Sequence, residues 1–277
     1  MSESMPVTAA SPAKKAAAIG AEMGHYLPGR REAVFLGAGG VLGAGLGVFG
    51  ARRTAQGAVF GADRDESVEL TPKQVQELLA EGNARFTGGT PARPDQGPAR
   101  RAAVSQAEKP LAVVLCCSDS RVVPELLFDQ GLGDLFVVRA AGQVVDDAVL
   151  GSLQYGVGTL ATPLLVVLGH SGCSAVRSAV EAEEKLVEKT AKTPAAKAAT
   201  IAAGPAALNT AIAPAVREAQ RIMTGDDDLV TVATGINVDR SVDRLKTDPV
   251  IGAASSRRAV KVVGALYDLA TGEVDWA

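Results

Sequence analysis

Leu111-Ala112-Val113-Val114-Leu115-Cys116-Cys117-Ser118-Asp119-Ser120-Arg121 decides the fold: a solid apolar run stops abruptly on thiols, a carboxylate and a guanidinium. Two further runs, Leu135–Val138 and Leu164–Leu168, have the same unbroken apolar character. Runs this short that do not alternate suit strands buried on both faces, as in a parallel sheet. Helical spacing separates them, over Val144–Leu160 after the second run and Ser174–Leu186 after the third. The alternation predicts an α/β fold with a mostly parallel central sheet flanked by helices.

Outward from this centre, Glu69–Thr87 reads as a helix. Thr71 and Pro72 form an N-cap and N1 pair, and Val75, Leu78, Leu79 and Phe86 recur at helical spacing. Gly88–Pro98 is rich in Gly and Pro and reads as loop. Thr190–Val216 is Ala-rich and of low complexity, open to helix, loop or both. Asn237–Leu245 reads as helix. Val260–Leu269, followed by the turn signal Thr271-Gly272, reads as a late strand and hairpin.

The 277 residues are 47% hydrophobic and 21% charged, with a net charge of −3. That balance argues against wholesale disorder and against a basic nucleic-acid binder. Ten aromatic residues are too few for a base-stacking platform. Three cysteines exclude a disulfide framework, and histidine chemistry is limited to His25 or His170.

The N-terminus reads as a targeting segment over residues 1–57. Arg30-Arg31 precedes Ala33–Ala51, an uncharged stretch in which seven of nineteen residues are Gly. A spanning helix needs about 20 mostly apolar residues, and Gly is a poor helix former. A basic pair before a mild apolar run fits an export signal better. With Phe35-Leu36 nearby it resembles a twin-arginine signal, and Ala55-Gln56-Gly57 offers a small-x-small cleavage site. The expected location is therefore periplasmic, cell-surface or secreted. An uncleaved leader would make the protein membrane-anchored, and that is the only membrane contact expected. The segment holds six basic and three acidic side chains, so the remainder carries −6.

Two motifs stand where α/β proteins build their sites, just past the carboxyl ends of strands. They are Cys117-Ser118-Asp119-Ser120-Arg121 and His170-Ser171-Gly172-Cys173. His-x-x-Cys at a strand-to-helix turn can close on one metal ion, and Cys117 ends a neighbouring strand. Two thiolates and one imidazole suit tetrahedral zinc and leave one position open, the catalytic pattern. Two thiolates also cancel the charge of the ion, so the site needs local help to hold hydroxide. A guanidinium at Arg121 would keep the Asp119 carboxylate ionised and oriented. So held, Asp119 can accept a hydrogen bond from hydroxide; released, it could swing onto zinc as a fourth ligand and close the site. Taken singly these residues have simpler uses: a core histidine, a surface ion pair, a packed thiol. The last applies to Cys116, because adjacent strand residues point to opposite faces. A redox pair of Cys116 and Cys117 is disfavoured, since neighbouring cysteines reach disulfide geometry only with strain.

The two motifs and their separation resemble the β-class carbonic anhydrases. The likeness covers roughly residues 70–277. It extends to Leu79–Phe86, Gly133–Arg139, Val166–His170, Asn237-Val238 with Ser241-Val242 and Leu245, and Gly264–Asp268 with Thr271-Gly272. The resemblance implies one Zn2+ per chain on Cys117, His170 and Cys173. It implies reversible hydration of carbon dioxide to bicarbonate and a proton by zinc-bound hydroxide, with Asp119 and Arg121 orienting it. It also implies a homodimer or a dimer-based higher oligomer, with a helical arm embracing the partner, and a pocket near the interface lined by Phe136 and Tyr155. Departures fall around that pocket. Glu108 stands where the family often has Gln, with Gln106 a candidate substitute. Ala141 replaces a Val of the pocket wall, Gln143 an Asn and Ser174 a Gly. An ionised Glu cannot donate to a substrate oxygen as an amide can.

On this basis the chain divides into residues 1–57, the signal or anchor; 58–100, the helical arm and linker; and 101–277, the α/β zinc-binding catalytic domain. Two other functions fit the same residues. One is the same site acting on another small electrophile such as carbon disulfide; the other is a zinc-holding, catalytically silent binding module. With no second histidine in a processed chain, the product proton is expected to leave through water, Asp119 or buffer.

Overall fold

The computed structural model describes residues 69–192, 206–223, 228–257 and 259–277. The targeting segment, with its arginine pairs, cleavage site and His25, lies outside the described residues. Among those described, no helix is long and apolar enough to cross a membrane.

Five strands form one sheet: β1 (Ala112–Cys116), β2 (Leu135–Arg139), β3 (Leu164–His170), β4 (Lys261–Tyr267) and β5 (Val274–Trp276). Their order is β2-β1-β3-β4-β5. The first four are parallel and β5 joins β4 antiparallel. Every residue of β1 and β3 is buried, which explains why both read as unbroken apolar runs. β2 is an edge strand and only half-buried.

Side-chain alternation sorts the core. Ala112, Val114 and Cys116 pack with Val75 and Leu79 of α1 (Pro72–Thr87). Val113 and Leu115 face the opposite layer, with Leu153 of α4 (Asp147–Gly158) and Val238 and Leu245 of α7 (Leu229–Thr247). Close packing of α4 on the sheet requires Gly156, where a Cβ would come within 2.6 Å of Val113 Cγ2. The remaining helices are α2 (Pro98–Ala103), α3 (Pro124–Leu127), α5 (Ser174–Lys192), α6 (Ala206–Ile222) and α8 (Pro249–Ser256).

The expected cap of α1 is present. Thr71 Oγ1 accepts from Gln74 N, and the Gln74 side chain accepts from Thr71 N, so the helix starts at Pro72 rather than Glu69. The arm helix folds back onto its own sheet. Asn83 ties it there by donating to the carbonyls of Leu127 and Gly272 and accepting from Val274 N. Asp146 caps α4, so this helix begins at Asp147 and not at Val144. Two elements are longer than their sequence pattern: α5 runs on to Lys192, and α7 starts at Leu229 rather than Asn237. Between β2 and α4, Ala141–Gln143 forms a single 3-10 turn.

The strand order positions the site. From β1 the chain moves to one side, to β2; from β3 it continues to the other, to β4. β1 and β3 are therefore adjacent strands whose connections diverge, and the crevice between their carboxyl ends is left open for a ligand.

Candidate metal centre

The loops leaving β1 and β3 meet at this crevice. Cys117 follows β1 directly, His170 is the last residue of β3, and Cys173 immediately precedes α5. Their ligand atoms all lie within 4.8 Å of one another, and all three residues are buried. The two thiol sulfurs are 3.9 Å apart. The sulfur–sulfur edge of a tetrahedral zinc site with ordinary bond lengths is about 3.8 Å.

The histidine adds a second sign of a metal site. Its Nδ1 lies 3.0 Å from the carbonyl of Ser171, which favours the tautomer protonated at Nδ1. Its Nε2 is fully buried and has no hydrogen-bond partner. A buried acceptor left unpaired costs roughly 1–3 kcal/mol, and a cation on the lone pair removes that cost. The chemistry of the donor set, two sulfurs and one imidazole nitrogen, fits zinc.

The thiols are prepared for ionisation unequally. Cys117 is held well below the usual thiol range, first by the hydrogen bond from Cys173 and further by the Gly142 N–H. That N–H reaches Cys117 Sγ at 3.2 Å. Cys173 is shifted upward, chiefly because it gives its proton to Cys117 and is itself buried. A metal replaces the shared proton and lets both sulfurs be thiolates. Cys116 packs in the α1-side core, away from Cys117, and burial pushes its thiol up to about 12. It is an inert packing residue.

Asp119 stands beside the trio without joining it. Its carboxylate accepts from Arg121 Nε at 2.9 Å and Nη2 at 2.7 Å, a bidentate pair, and from Arg121 N at 3.0 Å. Oδ2 is 4.0 Å from His170 Nε2. The Arg121 hydrogen bonds hold the Asp119 carboxyl well below the ordinary carboxylate range. The side chain of Asp119 is 11% exposed and that of Arg121 55%, so the pair closes the solvent side of the crevice.

The residues assigned to a substrate pocket are more dispersed. Phe136 and Tyr155 stack at 6.0 Å between ring centroids with planes tilted 41°, and Tyr155 is 46% exposed. Ala141 is half-buried in the 3-10 turn, and Glu108 is solvent-exposed on the segment leading to β1. A small cavity is lined by His170, Ser171, Thr231, Thr234, Leu266 and Tyr267.

Three contributors to the site carry no motif of their own. Arg139 donates to the carbonyls of Cys117 and Asp119. Gly142 supplies the N–H to Cys117 Sγ from a backbone with φ +64°, where a Cβ would meet Ile212 Cδ1 at 2.8 Å. Asn237 Nδ2 holds the Gly142 carbonyl at 2.9 Å. In sequence the only signal for Gly142 and Asn237 is their place in patterns shared with the resembled family. The next residue, Gln143, is fully buried with neither amide atom hydrogen-bonded.

Known proteins resemble the chain in the same region. A sequence profile described as carbonic anhydrase matches residues 112–274. A carbonic anhydrase of Mycolicibacterium smegmatis is 56% identical over 111 residues, 40% of this chain and 54% of that protein. Carbonic anhydrase 2 of Mycobacterium tuberculosis is 52% identical over a stretch of the same length and coverage. The matched stretch thus spans about half the length of these relatives. The solved structure of the β-carbonic anhydrase CcaA superposes with a TM-score of 0.52 at 25% identity, covering 74% of this chain and 98% of that one. A tetrameric β-carbonic anhydrase of Sordaria macrospora shares the fold at TM-score 0.53 and 22% identity, over 74% of this chain and 96% of that one.

Proposed function

Because the chain belongs to the carbonic anhydrase family, with the β-class fold, we propose that it catalyses the reversible hydration of carbon dioxide to bicarbonate and a proton. One zinc ion per chain would be held by Cys117, His170 and Cys173. The observation that carries this reading is the buried trio with its orphaned Nε2, set 4.0 Å from a carboxylate that Arg121 keeps ionised. Bound there, zinc supplies a Lewis acid that lowers the pKa of water and gives a nucleophile near neutral pH.

The chain's own residues do the rest. An ionised Asp119 is an acceptor only. A nucleophilic hydroxyl beside it must donate to it, and its lone pair is then turned toward the incoming carbon. Arg121 occupies both carboxylate oxygens in bidentate fashion, which keeps Asp119 in this orienting position and away from the ligand atoms. Ser171 fixes the imidazole through its carbonyl. His170 is the only histidine among the described residues, and it holds the metal. The product proton therefore leaves through water or buffer, and the rate should rise with buffer concentration.

We also propose that a second copy of the chain docks at the open edge of β2. Leu126 and Leu132 are 56% and 43% exposed, and the exposed Tyr155 packs against Phe136 of β2. We place a homodimer, or an assembly of dimers, on this face; sedimentation of the purified protein checks it. Export by the leader is part of the same proposal, and N-terminal sequencing of protein from cells tests it.

Metal analysis combined with stopped-flow carbon dioxide hydration across pH tests the activity. One zinc per chain and a rate that rises with pH is the expected result. Full zinc with no hydration would overturn it, leaving a silent zinc module, or an enzyme for carbon disulfide if that substrate is consumed.

A further inference from the structure

The reaction described above makes no use of Arg139, yet this residue holds the loop that carries it. Arg139 ends β2 at the sheet edge and is exposed to solvent. Its Nε donates to the Cys117 carbonyl at 3.2 Å and its Nη2 to the Asp119 carbonyl at 2.7 Å. One planar fork thus grips the main chain on both sides of Ser118, at a metal ligand and at the orienting carboxylate. The following residues continue the attachment. Ala140 N donates to the Cys116 carbonyl at 3.1 Å, and Gly142 N to Cys117 Sγ at 3.2 Å. The loop needs such support, because Ser118, Ser120 and Arg121 are all exposed. Its own internal bonds, Val122 N to the Asp119 carbonyl and Arg121 to the Asp119 carboxylate, do not tie it to the sheet.

We propose that Arg139 is a positioning residue: it clamps the peptide planes between Cys117 and Asp119 so that sulfur and carboxylate face the same open position. The idea rests on the metal-centre reading given above. A guanidinium suits the task because its rigid fork serves two carbonyls at once with charge-assisted bonds, whereas an ammonium acts as a point charge. A misplacement of about 1 Å in a catalytic group can cost on the order of 100-fold in rate.

Arg139→Ala and Arg139→Lys, made in the full chain and loaded with zinc or cobalt, test the proposal. Three quantities are read: kcat and KM for hydration, the visible spectrum of the cobalt form, and the rate of metal loss to a chelator. The alanine variant should lose about 10–100-fold in kcat with KM little changed. Its cobalt spectrum should shift and its metal should leave faster. Lysine should fall in between. Because the position is open to solvent, millimolar methylguanidinium should restore part of the alanine variant's rate and slow its metal loss, with no effect on the parent protein. An alanine variant with the parent's kcat, cobalt spectrum and metal-loss rate overturns the proposal. So does a variant whose only defect is a lower Tm without a guanidinium response, the mark of a strut at the sheet edge. If the alanine variant does not fold, a lysine variant with parental kcat, spectrum and metal retention overturns it equally. Should the zinc-loaded parent fail to hydrate carbon dioxide, the assigned reaction falls, while the spectrum and the metal-loss rate still decide the role of Arg139.

Discussion

The loop after β1 and the loop after β3 each bring a cysteine to the crevice, but they are held in different ways. The β3 loop belongs to the scaffold. His170 and Cys173 are both 0% exposed, Ser171 N donates to the Tyr267 carbonyl of β4, and Ser171 Oγ accepts from Leu269 N. The β1 loop has one buried member of the trio, Cys117, followed by exposed Ser118, Ser120 and Arg121 around a half-buried Asp119, and it is pinned by side chains, Arg139 from β2 and Arg121 from within. The contrast separates two tasks. On the proposed reading, metal retention would rest on packed backbone, and the chemistry on a loop whose geometry hangs on guanidinium–oxygen bonds. A fold that buried Asp119 as deeply as Cys173 would spend much more on desolvating the carboxylate.

Substitutions can break this division or sharpen it. The largest effect is expected from Cys173→Ala, which removes a ligand from the rigid loop. Metal content should fall far below one per chain and hydration to the level of buffer alone, as read by metal analysis and stopped flow. Next comes Arg121→Ala. Without its partner the Asp119 carboxyl titrates closer to the ordinary range and is free to turn onto the metal. Hydration should drop by about 10–100-fold while zinc stays bound. The sign for the parent is opposite: Arg121 holds the Asp119 pKa low, so Asp119 remains ionised as pH falls through the weakly acidic range. The acid limb of the parent's rate profile therefore belongs to another group, and in Arg121→Ala a new acidic inflection should appear.

A control lies away from both loops. Burial, with help from Asp243 and Glu218, raises the Asp239 carboxyl from 3.8 to about 7. The folded chain then binds its proton more tightly than the unfolded chain, so stability falls as pH rises between these values. Asp239→Asn removes that penalty. Discounted for partial exposure, the gain should be about 1–2 kcal/mol above pH 7 and vanish near pH 4, with hydration unchanged. Thermal melts at the two pH values check it. Ser171→Ala has the smallest expected effect. It leaves Leu269 N without its acceptor and should cost about 1 kcal/mol in stability with zinc retained. A large loss of zinc in this variant would show the β3 loop to be less rigid than its burial implies.

Much of this was legible in sequence, for identifiable reasons. The unbroken apolar runs marked β1 and β3 because strands covered on both faces have no polar side to alternate, and the run at β2 marked a strand that is only half-buried. Thr271-Gly272 marked the last hairpin, and Gly272 does sit at φ +79°. Other parts were hidden. The first half of α7, Leu229–Ile236, is rich in Val and Thr and carries the signature of a strand; packing of Val232 and Ala233 against α5 and α6 overrides that preference. The short helices α2 and α8 offer too few turns for a periodic pattern. At the site, the clustering of Cys117, His170 and Cys173 was legible because their chemistry is rare in this chain, two histidines and three cysteines in all. Arg139 was not, because its role is a pair of bonds to main-chain carbonyls, and a carbonyl leaves no mark on the residue that bears it.

The division between holding and reacting is tested most directly by Asp119→Ala, with zinc content and carbon dioxide hydration measured on the same sample. The account predicts one zinc per chain, as in the parent, and hydration reduced by about 100-fold or more. Retained zinc with the parent's rate would contradict it, because the carboxylate beside the metal centre would then have no part in the reaction.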